Sequence, residues 1–178
     1  MTTASKVTMI RIALIPFFMA AALLDFRHSG IVALVLFLLA SATDGIDGYI
    51  ARKYNQTTDF GKFIDPLADK LLVTSAMLIF VQWGTMPAWV LMVVLTREFA
   101  VSGLRMIAAS KGDVIAAAGC GKIKTVVTIV CISVMLVIVD FGHVPRMELV
   151  NQVAIALILL TTLYSGIEYF AKNHRVLK

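Results

Sequence analysis

"DGIDGYIARKYNQTTDFGKFIDPLADK", residues 44–70, follows directly on the apolar run "IVALVLFLLASAT", residues 31–43. The run has the composition of a segment entering a bilayer, yet Asp44, Asp47, Asp65 and Asp69 sit at or beside such runs. Carboxylates near hydrocarbon are costly, and their default reading is functional. On a helix, Asp44 and Asp47 are i and i+3 and Asp65 and Asp69 are i and i+4, so each pair shares one face. The short connection Arg52–Lys62 makes the two helices antiparallel neighbours, and four carboxylates can then converge at one depth. Such a group repels itself unless cations hold it, and hard oxygen ligands suit Mg²⁺ or Mn²⁺. Two ions would form the clamp used for in-line phosphoryl displacement.

The rest of the chain agrees with a membrane setting. Of 178 residues, 60% are hydrophobic and 15% charged, and the mean hydropathy is +0.89. Soluble domains are about 45–50% apolar and about 25% charged. Near-uncharged runs recur at Ile12–Leu24, Ile31–Thr43, Leu71–Thr96, Thr125–Val139 and Leu149–Ile167. A span takes about 20 mostly apolar residues. The longest run is interrupted by "QWGTMP", residues 82–87, where Gly and Pro suit a turn. The expected fold is therefore all-α and polytopic, with six transmembrane helices near 7–26, 30–50, 63–83, 87–109, 123–140 and 149–170. These account for nearly all of 1–178, and a separate soluble domain is not expected.

Charge sets the expected orientation. Lys6, Arg11, Arg52, Lys53, Lys62, Lys70, Arg105, Lys111, Lys122, Lys124, Lys172, Arg175 and Lys178 fall on one side, and only Arg27 and Arg146 on the other. Both termini and the active site are expected at the cytoplasmic face of a multi-pass protein. The formal net charge of +5 is this asymmetry; it suits anionic lipid and calls for no nucleic acid. Lys6 and Arg11 ahead of an apolar stretch and Ala20–Ala22 resemble a signal peptide, but an even number of spans fits the charge pattern with the first one retained. Cys120 and Cys131 offer no pairing, and His28, His143 and His174 read as solvated.

Single residues have plainer readings. Asp65 before Pro66 reads equally as a helix N-cap with proline at N1, and Asp47 as a surface partner of Arg52. Asp59 reads as a solvated loop residue. Gly48 and Gly61 either admit a bulky ligand group to the backbone or pack helices. Arg52, one turn beyond Gly48, is placed to answer a phosphate. In "TREFAVSGLRM", residues 96–106, Arg97 lies near the middle of span four, and Arg105 lies eight residues on, toward the cytoplasm. Arg97 reads either as an anion ligand or as half of a buried pair with Glu98 or a carboxylate on another span. "GKIKT", residues 121–125, puts Lys122 and Lys124 at the start of span five, as anion ligands or positive-inside residues. Jointly, Arg97, Arg105, Lys122 and Lys124 mark an anion site beside the carboxylates. Lys70 reads as a helix anchor.

The pattern Asp44-x2-Asp47-Gly48-x2-Ala51-Arg52-x8-Gly61-x3-Asp65-x3-Asp69 resembles the signature of the CDP-alcohol phosphotransferases at every position. "ALIPFF", "REFAVSGLR", "GKIKT" and "SGIEYF" are similar to segments of the bacterial members whose acceptor is glycerol 3-phosphate. The N-terminus keeps Thr8 and Arg11 of a T-x-x-R element, while "MTTASKV" departs from the usual segment before it. The resemblance implies one family domain over 1–178, a homodimer in the bacterial inner membrane, and two divalent cations held by Asp44, Asp47, Asp65 and Asp69. It implies CDP-diacylglycerol near Gly48, Arg52 and Gly61, and Asp69 as general base. The implied reaction joins CDP-diacylglycerol to sn-glycerol 3-phosphate and releases CMP, with glycerol 3-phosphate held by Arg97, Arg105, Lys122 and Lys124. Alternatives are the same chemistry on inositol phosphate, serine or phosphatidylglycerol, or a divalent-cation transporter.

Overall fold

The computed structural model describes the backbone of residues 3–24, 26–54, 59–111, 119–140 and 145–174, and the side chains of 8–24, 26–43, 64, 67–111, 119–140 and 147–174. Six helices make up the described fold: α1 (Thr3–Leu23), α2 (Ser29–Tyr54), α3 (Asp59–Gln82), α4 (Ala88–Ser110), α5 (Gly119–Val139) and α6 (Pro145–Asn173). No strand occurs among the described residues. Each coincides with an apolar run but most extend past it, because helical hydrogen bonding continues where hydrophobicity stops. Thus α2 carries on through Asp44, Asp47 and Arg52 to Tyr54, and α3 starts at Asp59 rather than near residue 63. Asp59, expected in a loop, is the first residue of a helix.

Several small residues lie fully buried where helices meet, while many large apolar side chains face outward. Ala33, Ala40, Ala68 and Ala76 are fully buried, whereas Phe17, Phe99, Ile123, Leu160 and Ile167 are 63–71% exposed. An aqueous surface does not favour that arrangement; lipid does, since close helix contact there depends on small side chains. Among the described residues, two helical segments, Gly119–Val139 and Met147–Asn173, are long and apolar enough to cross a membrane. The described parts of α1 and α2, Thr8–Leu23 and Ser29–Thr43, are apolar as well. The Asp and Lys residues in the first half of α3, and Arg97, Glu98 and Arg105 in α4, dilute those two helices.

The core is continuous across all six helices. Phe18 of α1 packs on Phe37 of α2 with ring centroids 5.8 Å apart. Ile15, Ala33, Met77, Phe80, Val90, Ile132, Leu136 and Ile158 belong to the same cluster. α1 lies against α2 and α3, α2 against α5, α5 against α6, and α6 against α4. α2 and α3, which carry the aspartates, also touch.

Polar links fasten the end of the bundle remote from those aspartates. Asp140, just past α5, accepts hydrogen bonds from Gly30 N–H and Ile31 N–H at 3.0 Å each, satisfying two donors in the first turn of α2. A Cβ on Gly30 would stand 2.5 Å from the Leu136 carbonyl oxygen, so glycine sets how closely α2 and α5 approach. The expected turn at residues 82–87 is present, with Gly84 at φ +71. Thr85 and Met86 N–H both donate to Phe80 O, and Asn151 Nδ2 of α6 donates to Thr85 O at 2.8 Å. A cavity of about 700 Å³ opens here, lined in part by Trp83, Trp89, Met135, Asn151 and Leu159. None of the candidate site residues lines it.

Candidate active site

The aspartates occupy the other end. Asp44 and Asp47 share the continuous helix α2, and Asp65 and Asp69 share α3. The i,i+3 and i,i+4 registers that put each pair on one face therefore hold in the backbone. The side chains of Asp44, Asp47, Gly48, Arg52, Gly61 and Asp65 lie outside the described residues, while Asp69 is described and half-buried. Among the described residues no group of three or more His, Cys, Asp or Glu gathers. The donor set itself suits a hard divalent ion, being made of carboxylates on two touching helices.

Buried polar residues continue the site from α1. Thr8 and Arg11, the T-x-x-R pair, are 0% and 1% exposed. Arg11 Nε donates to Thr43 Oγ1 at 3.2 Å, and Thr43 Oγ1 donates to Ala40 O at 2.6 Å. Thr43 is the residue before Asp44, so a guanidinium lies buried beside the start of the aspartate segment. The family resemblance marked the T-x-x-R pair without showing what it touches.

The cations resolve into three separate settings. Arg97 Nη1 and Lys124 Nζ each lie 2.9 Å from the same atom, Glu98 Oε1. All three side chains are largely withdrawn from solvent, at 13%, 8% and 19% exposure respectively for Arg97, Lys124 and Glu98. Arg97 thus takes the paired option that its sequence left open, and Lys124 joins the same carboxylate from α5. Arg105 instead meets α6, where Nε donates to Tyr169 Oη at 3.0 Å and the guanidinium carbon stands 5.5 Å from the ring centroid. Lys122 is exposed, because residues two apart on a helix point to different sides.

Lys70 does more than anchor α3. Its Nζ donates to the Glu98 carbonyl oxygen at 3.3 Å and to Ser102 Oγ. The helix bearing Asp69 is thereby tied to the helix bearing Arg97. Across the site, a Cβ on Gly166 of α6 would come within 3.1 Å of Arg97 Cγ, so the arginine stem lies against α6 where that helix has no side chain.

The helix bearing Asp69 is thus joined to the one bearing the Arg97–Glu98–Lys124 cluster. A sequence profile described as CDP-alcohol phosphatidyltransferase matches residues 1–164. The chain belongs to that family. A "CDP-diacylglycerol--glycerol-3-phosphate 3-phosphatidyltransferase" of Bacillus subtilis is 44% identical, over 98% of this chain and 96% of its own length. A protein of the same description from Haemophilus influenzae is 34% identical over 91% of this chain and 88% of its own. A "probable phosphatidylglycerophosphate synthase" of Mycobacterium tuberculosis is 34% identical over 97% of this chain and 81% of its own. The family is one of enzymes that generally depend on a divalent cation.

Proposed function

We propose that the chain transfers the phosphatidyl group of CDP-diacylglycerol to sn-glycerol 3-phosphate, giving phosphatidylglycerophosphate and CMP. The observation that carries the choice of a phosphorylated acceptor is the Arg97–Glu98–Lys124 cluster. Its two cations outnumber the one carboxylate, and Lys70 joins it to the Asp69 helix. The names borne by the bacterial relatives support the same acceptor.

In this reading Asp44, Asp47, Asp65 and Asp69 hold two divalent cations, Mg²⁺ or Mn²⁺, whose chemistry is to neutralise the diphosphate and the charge leaving on CMP. Gly48 and Gly61 are assigned to the cytidine end, and Arg52 to the diphosphate. Asp69 accepts the proton of the acceptor's primary hydroxyl. That oxygen bonds to the lipid-side phosphorus as the bond from this phosphorus to the CMP oxygen breaks. Arg97 and Lys124, buried together on Glu98, hold the acceptor phosphate; Arg105, engaged with Tyr169, and the exposed Lys122, which the sequence grouped with them, lie in other settings. Catalysis of this kind is mostly positioning and electrostatics.

The setting completes the proposal: six spans, both termini and the site at the cytoplasmic face of the bacterial inner membrane, acyl chains left among membrane lipids, and a homodimer. Purified protein in detergent with Mg²⁺ and CDP-diacylglycerol should release CMP with glycerol 3-phosphate. Release with serine, inositol phosphate or phosphatidylglycerol but none with glycerol 3-phosphate would reassign the acceptor. Proteoliposome uptake of Mn²⁺ without liponucleotide turnover would point to a transporter.

A further inference from the structure

We propose that Glu98 is a positioning residue: its carboxylate gathers Arg97 and Lys124 into one acceptor-phosphate site, and its carbonyl registers that site against the Asp69 helix. The proposal rests on the acceptor reading given above.

Glu98 is the one described residue that the cluster's contacts share. One carboxylate oxygen receives Arg97 from its own helix and Lys124 from α5, and its main-chain oxygen receives Lys70 from α3. Through the Arg97 stem against Gly166 the same centre reaches α6. Four helices thus meet around a single residue.

Two cations without the carboxylate would repel. A lysine on a flexible four-carbon stem can then turn toward water, and Lys124 begins only five residues into α5. With Glu98 in place the trio keeps a net charge of +1. A phosphate-bearing acceptor is attracted to that charge, and a neutral alcohol gains nothing from it.

The cluster also holds hydrogen-bonding capacity that the protein leaves unused. Arg97 Nε, Thr128 Oγ1 and Thr162 Oγ1 are buried and have no partner. Thr128 is one turn beyond Lys124 on α5, and Thr162 is one turn before Gly166 on α6. Buried polar groups are ordinarily satisfied, so the unpaired Nε of Arg97 within the cluster, with an unpaired threonine one turn away on each of α5 and α6, favours a polar guest. The chemistry it must offer is that of an anion carrying hydroxyl or phosphate oxygens.

The test is a set of Glu98 variants. Glu98→Gln keeps the shape and removes the charge; it should raise the KM for glycerol 3-phosphate by about tenfold or more while the KM for CDP-diacylglycerol stays within about twofold. In a Lys124→Met background the same change should add little, because the two act as a unit. Glu98→Asp, which keeps the charge but draws it back, should raise the acceptor KM at a near-native unfolding midpoint. A binding readout needs no turnover: inorganic phosphate should raise the wild-type unfolding midpoint and should not raise that of the Glu98→Gln protein. Equal rises in both KM values, additivity with Lys124→Met, or an undiminished phosphate shift would overturn the proposal. Wild-type inactivity with glycerol 3-phosphate alongside a Glu98-dependent phosphate shift would instead count against the acceptor alone.

Discussion

Lys124 Nζ on α5 stands 2.9 Å from Glu98 Oε1 on α4, with both side chains largely out of solvent. A buried pair of this kind contributes little net stability but is costly to break on one side, about 3–5 kcal/mol. Lys122, two residues earlier, is exposed, and exposed ion contacts are worth at most about 1 kcal/mol. Lys124→Met should therefore raise the KM for glycerol 3-phosphate by about tenfold or more, and Lys122→Ala by about fivefold or less. Acceptor saturation curves at fixed CDP-diacylglycerol measure both; the reverse order would move the phosphate site toward Lys122.

Asp69→Asn keeps the side-chain volume and removes both the proposed ligand charge and the proposed base. Turnover should fall by at least about a thousandfold, with thermal unfolding close to wild type. CMP release measures the rate, and appreciable residual activity would take the base role from Asp69.

Removal of divalent ions should have an equally sharp effect. EDTA should abolish CMP release, and Mg²⁺ or Mn²⁺ should restore it. Ca²⁺, which takes a looser and larger coordination shell, should restore it poorly.

The Asp140 contacts predict a purely structural defect. Asp140→Ala leaves two N–H groups of the first turn of α2 without their acceptor, at a cost of about 1–2 kcal/mol. Gly30→Ala drives a methyl against the Leu136 carbonyl and should cost more, because backbone must move. Unfolding midpoints in detergent should drop for both, while the KM values at low temperature stay near wild type.

Arg11 supplies a further prediction at the opposite end. Its buried guanidinium donates to Thr43, and a lysine cannot reproduce the planar donor fork. Arg11→Lys should lower the unfolding midpoint and should also lower kcat, since Thr43 immediately precedes Asp44. A variant with native turnover would reduce Arg11 to a packing role.

The sequence showed the helices and the aspartate signature because both are local. Apolar runs mark α1 to α6, Gly84 marks the α3–α4 turn, and the i,i+3 and i,i+4 spacings of the aspartates are countable along one chain. The sequence reading placed Lys122 and Lys124 in one anion site, whereas residues two apart on a helix lie on different sides of a turn, and the structure leaves Lys122 exposed and Lys124 buried. Partners across helices were not legible. Nothing in the spacing says that Lys124 meets Glu98, 26 residues away, or that Asp140 caps a helix 110 residues earlier. Lys70 looked like an anchor because lysines cluster at membrane borders; its contacts with Ser102 and the Glu98 carbonyl depend on how α3 crosses α4. Periodicity gives the face a residue occupies, and only packing gives what that face meets.

The most direct test is the identity of the lipid product. Purified protein with CDP-diacylglycerol, Mg²⁺ and isotopically labelled sn-glycerol 3-phosphate should yield labelled phosphatidylglycerophosphate and equimolar CMP by mass spectrometry, and the Asp69→Asn protein should yield neither. CMP released without labelled lipid, or a product carrying serine or inositol phosphate from a mixed acceptor pool, would contradict the account.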